Sequence, residues 1–346
     1  MKYKMKINGT LVLVFFLLLA MLPLYAGSDA RVGTAAGVQV LVPVGARDLA
    51  MGGANIVNTQ GVDAIYWNPA GLATLDGKAQ GAFSNMTIFS DIGVNYLALG
   101  VNMGSLGNLG FDIKSFDFGD IPETTVLDMD GASGKTYSPT YSTVGLTYAN
   151  KLTETIRVGF TGKMIYESIP RAEATSFAFD IGIQYMNLAG LDGVSFAVVA
   201  KNIGQNMSYE GSGFLYAVQD PVTDRTDYVT RETSSDQLPA SLEFGVAYTY
   251  KLMERNTLLI SGDFANNNID NDELKLGVEY SYNNFVALRG GYINKINVAA
   301  EDEDFDFSFG AGINYKLGNT MLSLDYAFRN SEYFDANNMF TLKVGF

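Results

Sequence analysis

The 346-residue sequence contains no cysteine and no histidine. Without cysteine, no disulfide supports the fold and no thiolate is available as nucleophile or ligand. Without histidine, Ser-His-Asp triads, Cys-His pairs, imidazole zinc sites and imidazole general bases are excluded together. Catalysis would have to run on carboxylates, lysine or tyrosine alone, so the chain reads as non-enzymatic, with no cofactor implied. Charged residues are also sparse, at 17%. After residue 26 no apolar run approaches the roughly 20 residues of a membrane-spanning helix. What the sequence holds in quantity is glycine, 37 residues, and aromatic side chains, 12%. That combination suits a β-protein whose strands turn one face to lipid. A chain that crosses a membrane without apolar helices must do so as a closed barrel, because closure satisfies every backbone group.

Residues 1–26 read as an export signal. Lys2, Lys4 and Lys6 form a positive start, 11–22 is a nearly unbroken apolar run, and Leu24-Tyr25-Ala26 offers a small residue for cleavage before Gly27, which is the secretory pattern. The run is short for a spanning anchor, and no cysteine follows it to carry a lipid. Removing three lysines and no acid takes the net charge from −14 to −17. A chain this acidic repels nucleic acid and anionic surfaces, so nucleic acid is not an expected partner.

Alternation supports an all-β, transmembrane antiparallel barrel, most clearly toward the C-terminus. In 273–282, Leu274, Leu276, Val278, Tyr280 and Tyr282 alternate with Glu273, Lys275, Gly277, Glu279 and Ser281; in 305–316, Phe305, Phe307, Phe309, Ala311, Ile313 and Tyr315 alternate with polar or small residues. Period two over about ten residues marks a strand with one apolar and one polar face. A water-soluble sandwich alternates in the same way. Aromatics at the ends of the apolar faces (Tyr248, Tyr250, Tyr280, Tyr282, Tyr315, Phe328) and charges on the other faces (Arg157, Lys163, Glu167) favour interfacial girdles and a polar lumen. Fourteen segments are expected, near 77–89, 91–103, 107–118, 139–149, 155–168, 174–187, 193–204, 239–250, 256–266, 272–283, 285–294, 304–316, 319–329 and 337–346. An even count is the rule for single-chain bacterial barrels.

The connections sort by length. One alternate set is short, around 104–106, 150–154, 188–192, 251–255, 283–284 and 317–318, and the other holds every long loop, 119–138, 205–238 and 295–303. Short periplasmic turns and long outer loops give this asymmetry. After the export signal the prolines fall outside strand interiors, where they would remove a ladder hydrogen bond. Two acidic outer stretches, 266–273 and 301–306, admit either a calcium site, because hard cations take clustered oxygens, or a solvated tip. Neither has EF-hand spacing.

The stretch 45–72, GARDLAMGGANIVNTQGVDAIYWNPAGL, stands apart. Its glycines are too irregular for a strand and would break a long helix. It includes the single tryptophan, Trp67, beside Asn68, Pro69 and Ala70. It reads as a compact plug inside the barrel, giving an order of signal (1–26), plug (27–76) and barrel (77–346). Arg47 and Asp48 would then lie among lumen-facing charges, for which Glu273, Glu279, Arg289, Asp306 and Asp325 are the candidates. A charge in a narrow lumen loses hydration and is expected to be paired.

On Gly45-Ala46-Arg47, Ala50-Met51-Gly52-Gly53-Ala54 and 64–72 (AIYWNPAGL) the chain resembles the PorV/PorQ family of FadL-like outer-membrane barrels. The resemblance implies a fourteen-stranded barrel with an N-terminal hatch, Asn68-Pro69-Ala70 as hatch motif, and Phe346 as the end of the signal read by the outer-membrane assembly machinery. It implies residence in the bacterial outer membrane, in contact with its lipid. For function it implies a component of a protein secretion or surface-assembly system of type IX kind, handling secreted cargo or other secretion proteins. The alternative is a FadL-like channel for uptake of hydrophobic small molecules. A third reading is a structural barrel with a sealed lumen.

Overall fold

The computed structural model describes residues 33–75, 77–219, 222, 224–298 and 305–346. The export signal, the first residues of the plug (27–32) and the acidic residues 301–304 lie outside them. Alternating segments become strands with β1 Ala79–Ile88, β2 Ile92–Asn102, β3 Asn108–Asp117, β4 Thr140–Lys151, β5 Ile156–Ile169, β6 Ala172–Tyr185 and β7 Val194–Gly204 in the first half. The second half holds β8 Ser241–Met253, β9 Asn256–Asn267, β10 Glu273–Tyr282, β11 Val286–Lys295, β12 Phe307–Leu317, β13 Thr320–Arg329 and β14 Asn337–Gly345. Each pairs antiparallel with its sequence neighbours, and β1 pairs with β14, Gln80 opposite Gly345, so the fourteen strands form one closed barrel. Closure removes the exposed edges an open sheet would present to lipid. Three strands differ noticeably from the sequence expectation: β8 runs to Met253 and not 250, with a register shift between Lys251 and Met253. β6 begins two residues earlier, because Arg171 adopts positive φ and turns the chain tightly after Ile169. β12 begins at Phe307 and not near 304.

One rim carries turns such as 254–255 and 318–319; the other carries 118–139, 205–240 and 296–306. These are called here the turn end and the loop end. Outward positions are apolar: on β12 they are Phe307, Phe309, Ala311, Ile313, Tyr315 and Leu317. Ten residue steps at about 3.3 Å, tilted by about 40°, give a belt about 25 Å tall, the height of a bilayer's apolar core.

The described plug residues, 33–75, run down the lumen. They start under the long loop, where Ala36 N donates to Gln237 O at 3.1 Å and Ala36 and Val40 pack with Ile165, Met207 and Leu238. One short helix, α1 (Ala46–Leu49), lies against β12–β14. A second, α2 (Ala64–Trp67), leads into a 3-10 turn, Pro69–Thr74, against β4–β6 near the turn end. The chain leaves beside Phe346, whose backbone N–H donates to Ala79 O at 2.9 Å while its carbonyl accepts from Lys78 N at 2.6 Å.

The two sides of the lumen treat the plug differently. Ala82, Met86, Ile88, Val94, Tyr96 and Ala98 of β1 and β2 form an apolar wall against Val44, Leu49, Val62, Ile65, Leu72 and Leu75. Around the rest of the bore, charged and hydroxyl side chains meet the plug's backbone and polar groups, interspersed with apolar contacts such as Met51, Ile56 and Val57 on Ala197, Val199, Ala247 and Leu259 of β7–β9. Where the plug backbone comes closest, the wall is glycine. A Cβ at Gly159 would overlap Pro69 and Ala70, one at Gly182 would overlap Asn68, and one at Gly291 would overlap Gly52. Gly182→Val should therefore lift the plug while the barrel still closes. Overpacking of about 1–3 kcal/mol corresponds to roughly tenfold or more in plug opening. Limited proteolysis of folded, heat-modifiable barrels should show at least that acceleration within 33–75.

Candidate functional site

The plug is organised by its own polar groups. Asn68 Oδ1 accepts from Ala70 N at 3.1 Å, and its Nδ2 donates to Ile56 O at 2.9 Å and to Ile183 O of β6 at 3.4 Å. One side chain thus closes the turn before Pro69 and ties it to the wall. Pro69 takes the first position of the 3-10 turn, where a missing N–H costs nothing. Trp67 Nε1 donates to Val44 O at 2.8 Å, and the indole lies against Gly53, where a Cβ would crowd it. Tyr66 reaches Val40 O at 3.1 Å. Asp48 is fully buried; its carboxylate accepts from the Asn55 amide and from Thr59 Oγ1.

An ion circuit joins plug to wall. Arg47 Nε lies 3.0 Å from Glu279 Oε2, and the same oxygen takes Arg289 Nε at 2.6 Å. Arg289 Nη1 meets Asp325 Oδ1 at 2.7 Å, Asp325 Oδ2 meets Lys343 Nζ at 3.1 Å, and Lys343 reaches Asp63. The chain begins at a plug cation and ends at a plug acid, with four wall charges of alternating sign between them. Buried pairs of this kind add little net stability over apolar packing, but losing one member leaves an uncompensated charge. Their role here is to set where the plug sits.

Above α2, toward the loop end, lies a cavity of about 220 Å³ with Tyr66 and Trp67 at its plug side. Its lysines are paired: Lys163 with Asp180 at 2.6 Å, Lys201 with Glu243 at 2.9 Å, Lys275 with Glu273 at 2.9 Å and Lys295 with Asp270 at 2.9 Å. Lys201 Nζ also lies 5.2 Å from the Trp67 ring centre and 5.5 Å from that of Tyr66, within cation–π range. At the rim the Arg329 guanidinium stacks 3.7 Å over Phe305.

The structure brings Arg47, Glu279, Arg289 and Asp325 together and places Glu273 apart, in the cavity. Asp306 does not belong to the lumen wall as expected. It precedes the late-starting β12, receives Phe307 N at 2.7 Å and Asn330 Nδ2 at 3.0 Å, and so caps the rim. In the acidic stretch 266–273, Asp272 Oδ1 accepts from Asn266 Nδ2 at 2.9 Å and Asn267 N at 3.1 Å, so its carboxylate shapes its own turn. Lys343 and Asp63 were not singled out from sequence. Lys343 falls within the last expected segment, 337–346, between the apolar Leu342 and Val344, whereas nothing local to Asp63 announces a partner 280 residues away.

No protein-family model matches the chain, and no curated protein matches it. Solved structures do. The barrel is similar to the toluene transporter TodX of Pseudomonas putida, at TM-score 0.53 and 13% identity over 87% of this chain and 96% of that one. It is similar to the monoaromatic hydrocarbon channel CymD at 0.52 and 13%, over 88% and 97%. The toluene transporter TbuX of Ralstonia pickettii aligns at 0.51 and 13%, over 88% and 98%. At this identity the likeness establishes the fold alone, a closed fourteen-stranded barrel with a plug-like N-terminal segment inside.

Two measurements test the latch. Lys343→Met strips Asp63 of its cation, whereas Arg47→Ala leaves Glu279 with Arg289. Plug protection from protease should therefore fall further in Lys343→Met, by about 3 kcal/mol against about 1 kcal/mol for Arg47→Ala. The second is pH. Burial, helped by the neighbouring Asp63 charge, pushes the Asp48 carboxyl up from 3.8 to about 6. The docked plug then holds this proton more tightly than the free segment, so docking weakens as pH rises through that window and is level above it. Plug protection should be greater at about pH 4.5 than at about pH 7.5, and Asp48→Asn should abolish this contribution.

Proposed function

We propose that this protein is a non-enzymatic, plug-gated channel of the bacterial outer membrane that admits small molecules from the loop side. The carrying observation is the plug itself. It bridges the bore, contacting apolar wall on one side and, through Arg47 and Asp63, a six-charge circuit on the other, beneath a cavity that opens toward the long loops. A segment held by an ion circuit as well as by apolar contacts has two ways to sit: docked, or displaced with its charges hydrated. The loop base reaches the plug's start through Gln237 and Leu238, so a molecule settling at the loop end sits where it can bias that choice. The similar channels are named for aromatic hydrocarbons, which supports small-molecule passage through this architecture and the uptake reading over the secretion reading. On this reading the short turns face the periplasm, and Phe346, whose backbone bonds residues 78–79 at that rim, ends the assembly signal.

The protein-partner reading keeps one observation of its own. In the 118–139 loop, Thr125 and Asp128 exchange backbone hydrogen bonds, and the Asp128 carboxylate accepts from Ala132 N and Ser133 N. This turn holds out Val126 (85% exposed) and Leu127 (98% exposed). An ordered turn presenting apolar tips suits a partner of a surface-assembly system.

Purified barrels in liposomes decide between the two. Wild-type protein should pass small uncharged solutes slowly, and Gly182→Val and Lys343→Met should each raise the rate at least about tenfold. Equal, undetectable permeation in all three would remove the channel reading and leave the loop-tip partner.

A further inference from the structure

We infer that the loop-end cavity is a binding site for a neutral, hydroxyl-bearing ring molecule about the size of a monosaccharide, and not for a bare hydrocarbon or an anion. The inference rests on the channel reading for its use by the cell, and it names what that channel selects.

The first argument is charge. Every lysine named at the cavity already faces an acid: Lys163 with Asp180, Lys201 with Glu243, Lys275 with Glu273 and Lys295 with Asp270. An anionic ligand meets cations whose charge is already answered, and a cationic one meets acids in the same condition. A neutral ligand leaves these pairs intact.

The second argument is hydrogen bonding. Glu243 is 4% exposed, and its Oε1 accepts from Lys201 Nζ at 2.9 Å and from Ser241 Oγ at 3.1 Å. Its other oxygen, Oε2, accepts from no protein donor among the described residues. That oxygen is sealed from the cavity as the side chain stands; a buried carboxylate oxygen without a donor is costly, so a hydroxyl hydrogen that meets Glu243 as it turns toward the cavity supplies the missing bond. Hydroxyl groups both donate and accept, so they suit a wall of alternating ammonium and carboxylate groups. A hydrocarbon would cover the same groups and return nothing for their lost hydration.

The third argument is shape. Tyr66, Trp67 and Phe305 give the cavity aromatic surface for a ring's C–H face. A volume of about 220 Å³ exceeds the roughly 150 Å³ of a cavity that holds benzene, so it admits one substituted six-membered ring.

Because Trp67 is the single tryptophan, its emission reports on the plug at the floor of this cavity. Purified full-length barrels would be titrated with methyl β-glucoside, with toluene and with benzoate. The glucoside should shift Trp67 emission saturably, and the other two should not at equal concentration. Glu243→Gln should weaken glucoside binding about tenfold. Lys201→Gln, which removes the neighbouring ammonium, serves as a second variant, and each variant's heat-modifiable migration shows that it has folded. Saturation by toluene or benzoate at lower concentration than the glucoside overturns the inference, as does unchanged glucoside binding in both folded variants. Glucoside binding with no permeation in wild-type or plug-loosened barrels would overturn the channel reading and leave the cavity assignment standing. Toluene permeation without glucoside binding would do the reverse.

Discussion

Fourteen strands enclose a bore too wide for wall side chains to fill, since about eight strands already bring facing side chains into contact. Something else must occupy the space, and in this chain it is the N-terminal segment. That requirement explains features that would otherwise be unconnected. A backbone brought inside a barrel must find partners for its N–H and C=O groups, so the lumen offers side chains to it: Ser308 Oγ accepts from Gly52 N at 3.0 Å, Thr341 Oγ1 from Ala46 N at 2.8 Å, Asp263 Oδ2 from Ile56 N at 3.1 Å, and Gln184 donates to Ile56 O and Thr59 O, each at 3.1 Å. Where the approach is closest the wall gives up its side chains, as at Gly159, Gly182 and Gly291.

The mixture of apolar and charged wall follows from the same need. Apolar packing, broadest on β1 and β2 and repeated on β7–β9, supplies affinity without direction. The circuit from Arg47 to Asp63 supplies position, because each charge has a particular neighbour and a shifted plug loses the match. Paired charges also hydrate readily once exposed, so a plug seated on them can leave at a moderate energetic cost. The paired charges continue upward into the cavity, where they shape what can settle above the plug.

Strand number, strand boundaries to within about three residues, and the sorting of loops were legible because the alternation is local and one-sided: each strand had to hide one face from water. The first two strands were the least legible. Their loop halves place Met86, Ile88 and Val94 inward and Asn85, Thr87 and Asn95 outward, with Asn85 donating to Asn95 at 2.9 Å on the outer face, so the apolar face changes sides partway along the strand. Asp306 was misplaced because a strand's end is set by where its ladder stops, and alternation does not mark that. The outer loops were legible as loops and no further.

The sequence by itself determined that this chain has no histidine or cysteine chemistry, that its strands close into a barrel, and that 45–72 cannot be one of those strands. These are consequences of composition, period and glycine placement, which act within ten or so residues. Tertiary structure alone decided which charges meet. Arg47 and Glu279 lie 232 positions apart, and Asp63 and Lys343 lie 280 apart. Any lumenal acid would have satisfied Arg47 as far as composition goes. The choice of Glu279, and of Glu243 as the cavity acid with an unclaimed oxygen, came from barrel register and plug path. Those fix positions across the bore, and no local pattern records them.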